Sequence, residues 1–174
     1  GDYRLTSSAT SMLARVLETS EFDFAGGQLK PIRYDYTRSG MGKSKQAFIA
    51  FDYGSKTLQH QDGTSEFIGG TLDKLSYQYQ LTLDLANLAS SERSSNTFEY
   101  VVADGDKLKN YRFRVAGEEV LATPTGDILT VKIERVREHD SDRKTTFWLA
   151  KDHDYLLTKF KQQGKGKSFE LNLE

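Results

Sequence analysis

The chain contains no cysteine. That excludes disulfide staples, thiolate nucleophiles and sulfur-ligated zinc or iron–sulfur centres. It does not fix a compartment, because exported and cytosolic proteins alike can do without the residue. Proline occurs twice, tryptophan once and histidine three times in 174 residues. No apolar run approaches the roughly 18–20 residues of a membrane-spanning helix. The opening GDYRLTSSATS lacks the basic-then-apolar pattern of an export signal, so any such signal is expected to have been removed. An excess of one charge is missing too, since 24 basic residues face 25 acidic ones and the formal net charge is −1. No global field therefore selects nucleic acid or an anionic membrane.

What the chain does have is aromatic side chains, ten Phe and nine Tyr, within a 37% hydrophobic composition. That balance excludes disorder and suits pleated strands. The length fits a single domain over residues 1–174 with a core of its own. Much of the sequence alternates with period two, the signature of strands with one buried face. Phe22 and Phe24 alternate with Glu21 and Asp23, and Ile32, Tyr34 and Tyr36 with Arg33 and Asp35. Tyr111, Phe113 and Val115 oppose Arg112 and Arg114, while Leu129, Val131 and Ile133 oppose Thr130, Lys132 and Glu134. Glycine-bearing turns such as Gly26-Gly27, Asp104-Gly105 and Gly126-Asp127 separate the runs. Strands joined by short hairpins imply a mainly β fold, an antiparallel meander.

Residues 71–89, TLDKLSYQYQLTLDLANLA, fit two periods at once. Leu75, Tyr77, Tyr79, Leu81, Leu83 and Leu85 alternate as in a strand. Leu72, Leu75, Tyr79 and Leu83 also fall at helical spacing, with Thr71 or Asp73 able to cap a helix N-terminus. Periodicity leaves both readings open. A further short helical turn is expected around Ser11 to Leu17.

Each candidate for chemistry has a plainer reading. GMGKS at Gly40 to Ser44 lacks the first glycine of a phosphate-binding loop, Thr37 standing in its place, and it joins two strand patterns. It reads as a hairpin turn. His60, His139 and His153 have no ligand partner at short spacing, so no metal site is expected. No G-x-S-x-G elbow surrounds any serine. Glu119, in register with Val115 and Gly117, would face inward and need a partner there, whereas Glu118 would face out. The basic runs Lys107 to Arg114 and Lys159 to Lys167 read as the wet face of a sheet rather than a nucleic-acid surface. In FWLAKDHDYLLTKFKQ (Phe147 to Gln162), Lys151 to Asp154 form a polar turn between a strand ending at Ala150 and another beginning with Tyr155.

That same stretch, with the following SFELNL, resembles the ending of a bacterial family known as domain of unknown function 3108. Its members finish with W-L-x-x-D-x-x-Y-L-P and a strand like E-L-x-L. Trp148, Leu149, Asp152, Tyr155 and Leu156 match, and Leu157 stands where proline is usual. YRLTSSA (3–9), LKPIRYDY (29–36), AFDYGSKT (50–57), DKLSYQYQL (73–81) and VAGEEVLATPTGDILTVKIERV (115–136) match in order. The resemblance implies a curved antiparallel sheet or half-barrel, similar to those of lipoprotein carriers such as the Lol proteins, with one covering helix near 73–88. It implies an exported periplasmic or envelope protein, with one or two further strands preceding the present start. It brings no catalytic roles and no cofactor, and no enzyme is expected. The function expected is the holding of an apolar ligand, lipid or a lipoprotein acyl chain, in the concave sheet. Phe48, Phe51, Tyr111, Phe113, Trp148 and Tyr155 would line the cleft. The alternative is an interaction module of the envelope whose core is filled, with a protein partner at an edge or face.

Overall fold

The computed structural model describes residues 3–42, 44–88, 96–124, 126–137, 142–164 and 166–172. Twelve strands and one helix occur among them, and the chain is mainly β as expected. The meander divides into two six-stranded antiparallel sheets, neither closed into a barrel. The first runs in chain order: β1 (Tyr3–Thr10), β2 (Ala14–Ala25), β3 (Gln28–Gly40), β4 (Lys45–Asp52), β5 (Thr57–His60) and β6 (Gly63–Glu66). Helix α1 (Ser76–Asn87) follows. The second sheet is again sequential: β7 (Thr97–Asp104), β8 (Lys107–Thr123), β9 (Gly126–Val136), β10 (Lys144–Ala150), β11 (Leu156–Gly164) and β12 (Lys167–Asn172). By compactness there are two units, Gly1–Gln80 with Tyr100–Asn110, and Leu81–Glu99 with Tyr111–Glu174.

Local chemistry sets the hairpins. Gly26 and Gly27 both take positive φ, 60° and 79°, between the paired Ala25 and Gln28. A two-residue turn of that hand matches strand twist, and only glycine adopts it freely. The helical turn expected at Ser11 to Leu17 is instead a tight β-turn. Ser11 Oγ accepts the N–H groups of Leu13 (3.3 Å) and Ala14 (3.1 Å), and Thr10 pairs with Arg15. A hydroxyl that meets local backbone donors closes the hairpin before a helix can nucleate. In the β2–β3 ladder Glu21 pairs with Arg33 but Phe22 pairs with Pro31, which leaves Ile32 as a bulge. Proline, having no N–H to offer the ladder, is at home beside such an irregularity.

In the first unit, Tyr34, Ile49, Phe51, Leu58, Phe67, Leu75 and Ala103 form the apolar core. The segment leading into α1 is tied down by polar groups buried with it. Asp73 is fully buried, and its Oδ1 accepts the N–H groups of Leu75 and Ser76, both at 2.8 Å. Ser76 Oγ in turn accepts the Asp73 N–H at 2.8 Å, a reciprocal cap that satisfies orphan donors at the helix start. The other carboxylate oxygen accepts the hydroxyl of Ser20 on β2 at 2.6 Å. Of the two possible caps, Asp73 takes the role. Immediately before it, Leu72 forms a parallel bridge with Val102 on β7, which is why the helix begins at Ser76 and not earlier. The buried side chains on α1 are Ser76, Tyr77, Gln80, Leu81 and Leu85, whereas Tyr79 is 41% exposed. The stripe is therefore offset from the one that spacing from Leu72 suggested.

Gln80, also fully buried, completes the attachment. Its Oε1 accepts the Leu29 N–H at 2.8 Å, and its Nε2 donates to the Gly27 carbonyl at 3.0 Å. One amide thus serves both backbone groups at the mouth of the β2–β3 hairpin. Replacing it by leucine keeps the volume but leaves the buried Leu29 N–H without its acceptor. Gln80→Leu is expected to lower the unfolding free energy by about 1–3 kcal/mol. Urea titration checks this, and an unchanged midpoint contradicts it.

Candidate functional site

The six aromatic residues expected to line a cleft divide between the units. Phe48 and Phe51 lie in the first; Tyr111, Phe113, Trp148 and Tyr155 lie in the second. Phe48 and Phe51 are three positions apart on β4, which turns their side chains to opposite faces of the sheet. Phe51 is buried in the core, edge-on to Phe67 at 5.4 Å and stacked with Tyr53 at 6.2 Å. Phe48 is half-buried on the other face, with the Arg33 guanidinium 5.1 Å from its ring centre.

In the second unit, Tyr111 and Phe113 open a line of rings running across the sheet. Tyr111 meets Phe113 at 6.4 Å, Phe113 meets Phe147 at 5.8 Å, Phe147 meets Phe160 at 5.2 Å, and Phe160 meets Phe169 at 6.3 Å. Every contact is edge-to-face, the arrangement that the ring quadrupole favours. Phe113 has no exposed surface, and the Arg135 guanidinium lies 3.3 Å from the centre of the Tyr111 ring. Trp148 follows Phe147 and so points to the other face. There it is the centre of a charged layer, with Lys132 and Lys159 as its cross-strand neighbours on β9 and β11. Their ammonium groups sit 5.4 and 5.3 Å from the indole, within cation–π range. Tyr155, 6% exposed, does not begin β11. It ends the turn, where Asp154 and Tyr155 take φ of 50° and 56° and Leu156 donates to the His153 carbonyl.

Glu119 does not face inward. Val115 pairs with Ile133 and Gly117 with Lys132, so Ala116 is bulged out and every later side chain on β8 changes face. Glu119 Oε2 accepts the Trp148 Nε1–H at 3.0 Å and lies 3.4 Å from Lys132 Nζ. The indole N–H and the ammonium hold its carboxyl below the ordinary range. Most of the basic runs are likewise matched to carboxylates: Lys109 to Asp104, Arg112 to Glu99, Arg114 to Glu134, and Lys159 and Lys161 to Glu170. His60 closes β5, His153 sits in the exposed β10–β11 turn, and His139 lies outside the described residues. Among the described residues no group of three or more histidines and carboxylates is placed to hold a metal.

The sequence reading missed a polar cluster beneath the first sheet. The Tyr34 hydroxyl donates to Glu18 Oε1 at 2.5 Å, beside the Ser20–Asp73 pair. Burial pushes the Glu18 carboxyl up, against the opposing pull of the Tyr34 hydrogen bond and the Lys74 charge. Burial also raises Asp73, again against its hydrogen bonds, and it drives Tyr34 far above the ordinary phenol range. Only one signal pointed here: Glu18 and Ser20 share the inward register of Phe22, so polar groups interrupt an otherwise apolar face. The pair distances span 16 and 53 positions, which no local spacing could reveal.

The family model of DUF3108, a protein of unknown function, matches residues 3–171. No curated protein and no solved structure matches the chain. No helix among the described residues is long and apolar enough to cross a membrane.

The buried acids fix the sign of one pH effect. Both have native pKa values above their ordinary ones, 4.5 for Glu18 and 3.8 for Asp73. In the window between ordinary and native values the folded state holds more protons than the unfolded one, so stability falls as pH rises. The contribution is complete below the ordinary values and lost above the native ones. Urea midpoints across pH for the native chain, minus those for Glu18→Gln/Asp73→Asn, are expected to decline through that window. A difference that rises with pH contradicts the assignment.

Proposed function

The chain belongs to the DUF3108 family, and we propose that it is a non-enzymatic interaction module of the bacterial cell envelope, acting through its surface rather than by enclosing an apolar ligand. The observation that carries this reading is the mutual packing of the aromatic side chains. Five of the six rings available to line a cleft are at most 8% exposed. Phe51 is engaged by Tyr53 and Phe67, and Phe113 by Tyr111 and Phe147. A ligand-holding sheet needs apolar surface whose neighbours are absent until the ligand arrives. Rings that already meet at 5–6 Å leave no such surface between them.

Placement in the envelope, as a periplasmic or otherwise exported protein, is supported by the resemblance to a family whose members usually carry an export signal. The absence of an enzymatic role is supported by the fate of the charged groups. Glu118, Glu119, Glu134 and Glu170 on the second sheet each face a cation within 4 Å, as structural ion pairs do. The perturbed acids Glu18 and Asp73 hold a hydroxyl and a helix start in place.

Native mass spectrometry of protein purified from envelope material tests the reading, with Phe113→Ala as the control. The native chain is expected at its bare mass, with no lipid adduct. Phe113→Ala, which costs about 3–5 kcal/mol and opens room for an apolar guest, is expected to acquire one from added fatty acid. A stoichiometric lipid on the native chain contradicts the proposal.

A further inference from the structure

Three of the largest exposed apolar side chains of the first unit lie together at one end of its sheet. Met12 is fully exposed, Leu13 is 57% and Met41 is 74% exposed. They come from two separate turns, β1–β2 and β3–β4, yet the turns are joined: the Met41 N–H donates to the Leu13 carbonyl at 2.7 Å. Gly40, at φ 115°, lets the two backbones close up, since a Cβ there would lie 2.5 Å from the Leu13 oxygen and 2.8 Å from the Ala14 Cα. Ser11 fastens the first turn through its hydroxyl. The three side chains are held outward by backbone bonds, not by chance of a loose loop.

A basic collar surrounds this apolar tip. Arg15 pairs with Ser39 across β2 and β3, while Arg38 pairs directly with Lys45 across β3 and β4. Register places Arg15 on one face of the sheet and the Arg38–Lys45 pair on the other. All three are exposed. Two cations set opposite each other repel, a cost that a bound anion would relieve. No Asp or Glu occurs from Leu5 to Leu17 or from Tyr36 to Phe51, although the whole chain is nearly neutral. The nearest acidic position along β2, Glu18, is four residues from the turn, roughly 13 Å at strand rise. Elsewhere in the sheet Arg4 and Arg33 are matched to the carboxylates of Glu21 and Asp35. The local field thus departs from the global one, and cations on both faces suit end-on approach to a plane rather than a partner laid along one face.

We propose that the joined β1–β2 and β3–β4 turns dock on an anionic lipid surface, with Met12, Leu13 and Met41 entering the interface and Arg15, Arg38 and Lys45 meeting the headgroups. Apolar side chains that enter the acyl boundary beneath a basic ring combine the two forces that hold peripheral proteins on membranes. The inference rests on the surface-acting reading above and gives it a partner.

The test is co-sedimentation of the whole chain with vesicles of phosphatidylglycerol and of phosphatidylcholine. Binding is expected to phosphatidylglycerol, to weaken with salt, and to be at least tenfold poorer on phosphatidylcholine. Arg15→Gln/Arg38→Gln/Lys45→Gln is expected to weaken it about a hundredfold. Met12→Ser/Leu13→Ser/Met41→Ser is expected to weaken it tenfold or more, with circular dichroism unchanged because these side chains are mostly exposed and outside the core. The cysteine-free chain also allows a single environment-sensitive dye through Met12→Cys, whose emission should shift to the blue on vesicles while the same dye at Gln59→Cys does not. Absence of vesicle binding, binding indifferent to either triple variant, or self-association abolished by the methionine and leucine changes would each overturn the assignment. The last would give the tip to a second copy of the chain. If vesicles fail while native mass spectrometry still shows a bare chain, only the lipid assignment falls.

Discussion

The first unit depends on one buried carboxylate. Asp73 has to be inside because the chain passes from the Leu72–Val102 bridge straight into α1, and the orphan N–H groups of that helix start have no water to turn to. A carboxylate meets them, and its second oxygen would be orphaned in turn but for Ser20. The same requirement recurs at Gln80, whose amide answers the backbone at the β2–β3 hairpin mouth. Burial and satisfaction come as a pair here: each polar group is inside only because another was placed to meet it. The helix register, and hence which of its side chains are buried, follows from where Asp73 fixes its first turn.

The second unit answers the same demand for burial with rings. The line from Tyr111 to Phe169 crosses β8, β10, β11 and β12, so that aromatic edges meet aromatic faces over most of the sheet's width. The opposite face does the reverse, covering one tryptophan with lysines and balancing those with Glu119 and Glu170. Lysine stems bury apolar area while their heads stay wet. A sheet dressed in this way has side chains covering both faces, rings on one and a tryptophan under paired charges on the other.

Much of this was legible in the sequence. The alternating runs at Tyr111 to Val115, at Leu129 to Ile133 and at Thr145 to Ala150 are strands, and the glycine-bearing turns at Gly26-Gly27, Asp104-Gly105 and Gly126-Asp127 join hairpins. The bulges were not legible. A single extra residue at Ile32 or Ala116 changes the face of all that follows, and nothing in composition announces it. Glu119 is the consequence, expected inside and found on the charged face. The α1 segment was ambiguous because its leucines and tyrosines satisfy two periods at once. The match of DKLSYQYQL to the family pointed to a helix near 73–88, and α1 is found at Ser76–Asn87, just after the Leu72–Val102 bridge. The tip formed by Met12, Leu13 and Met41 was hidden, since its two turns lie 28 positions apart and meet only through the Leu13 carbonyl.

The apolar interiors of both units are packed with the chain's own side chains. Xenon enters apolar voids and leaves packed regions alone. Xenon titration followed by NMR of the buried Leu58, Phe113, Val131 and Ile133 resonances addresses this without a guess at any natural ligand. Only small, linear, unsaturable shifts are expected at all four. A saturable shift localised to any of these cores would reveal a standing cavity and contradict this packing.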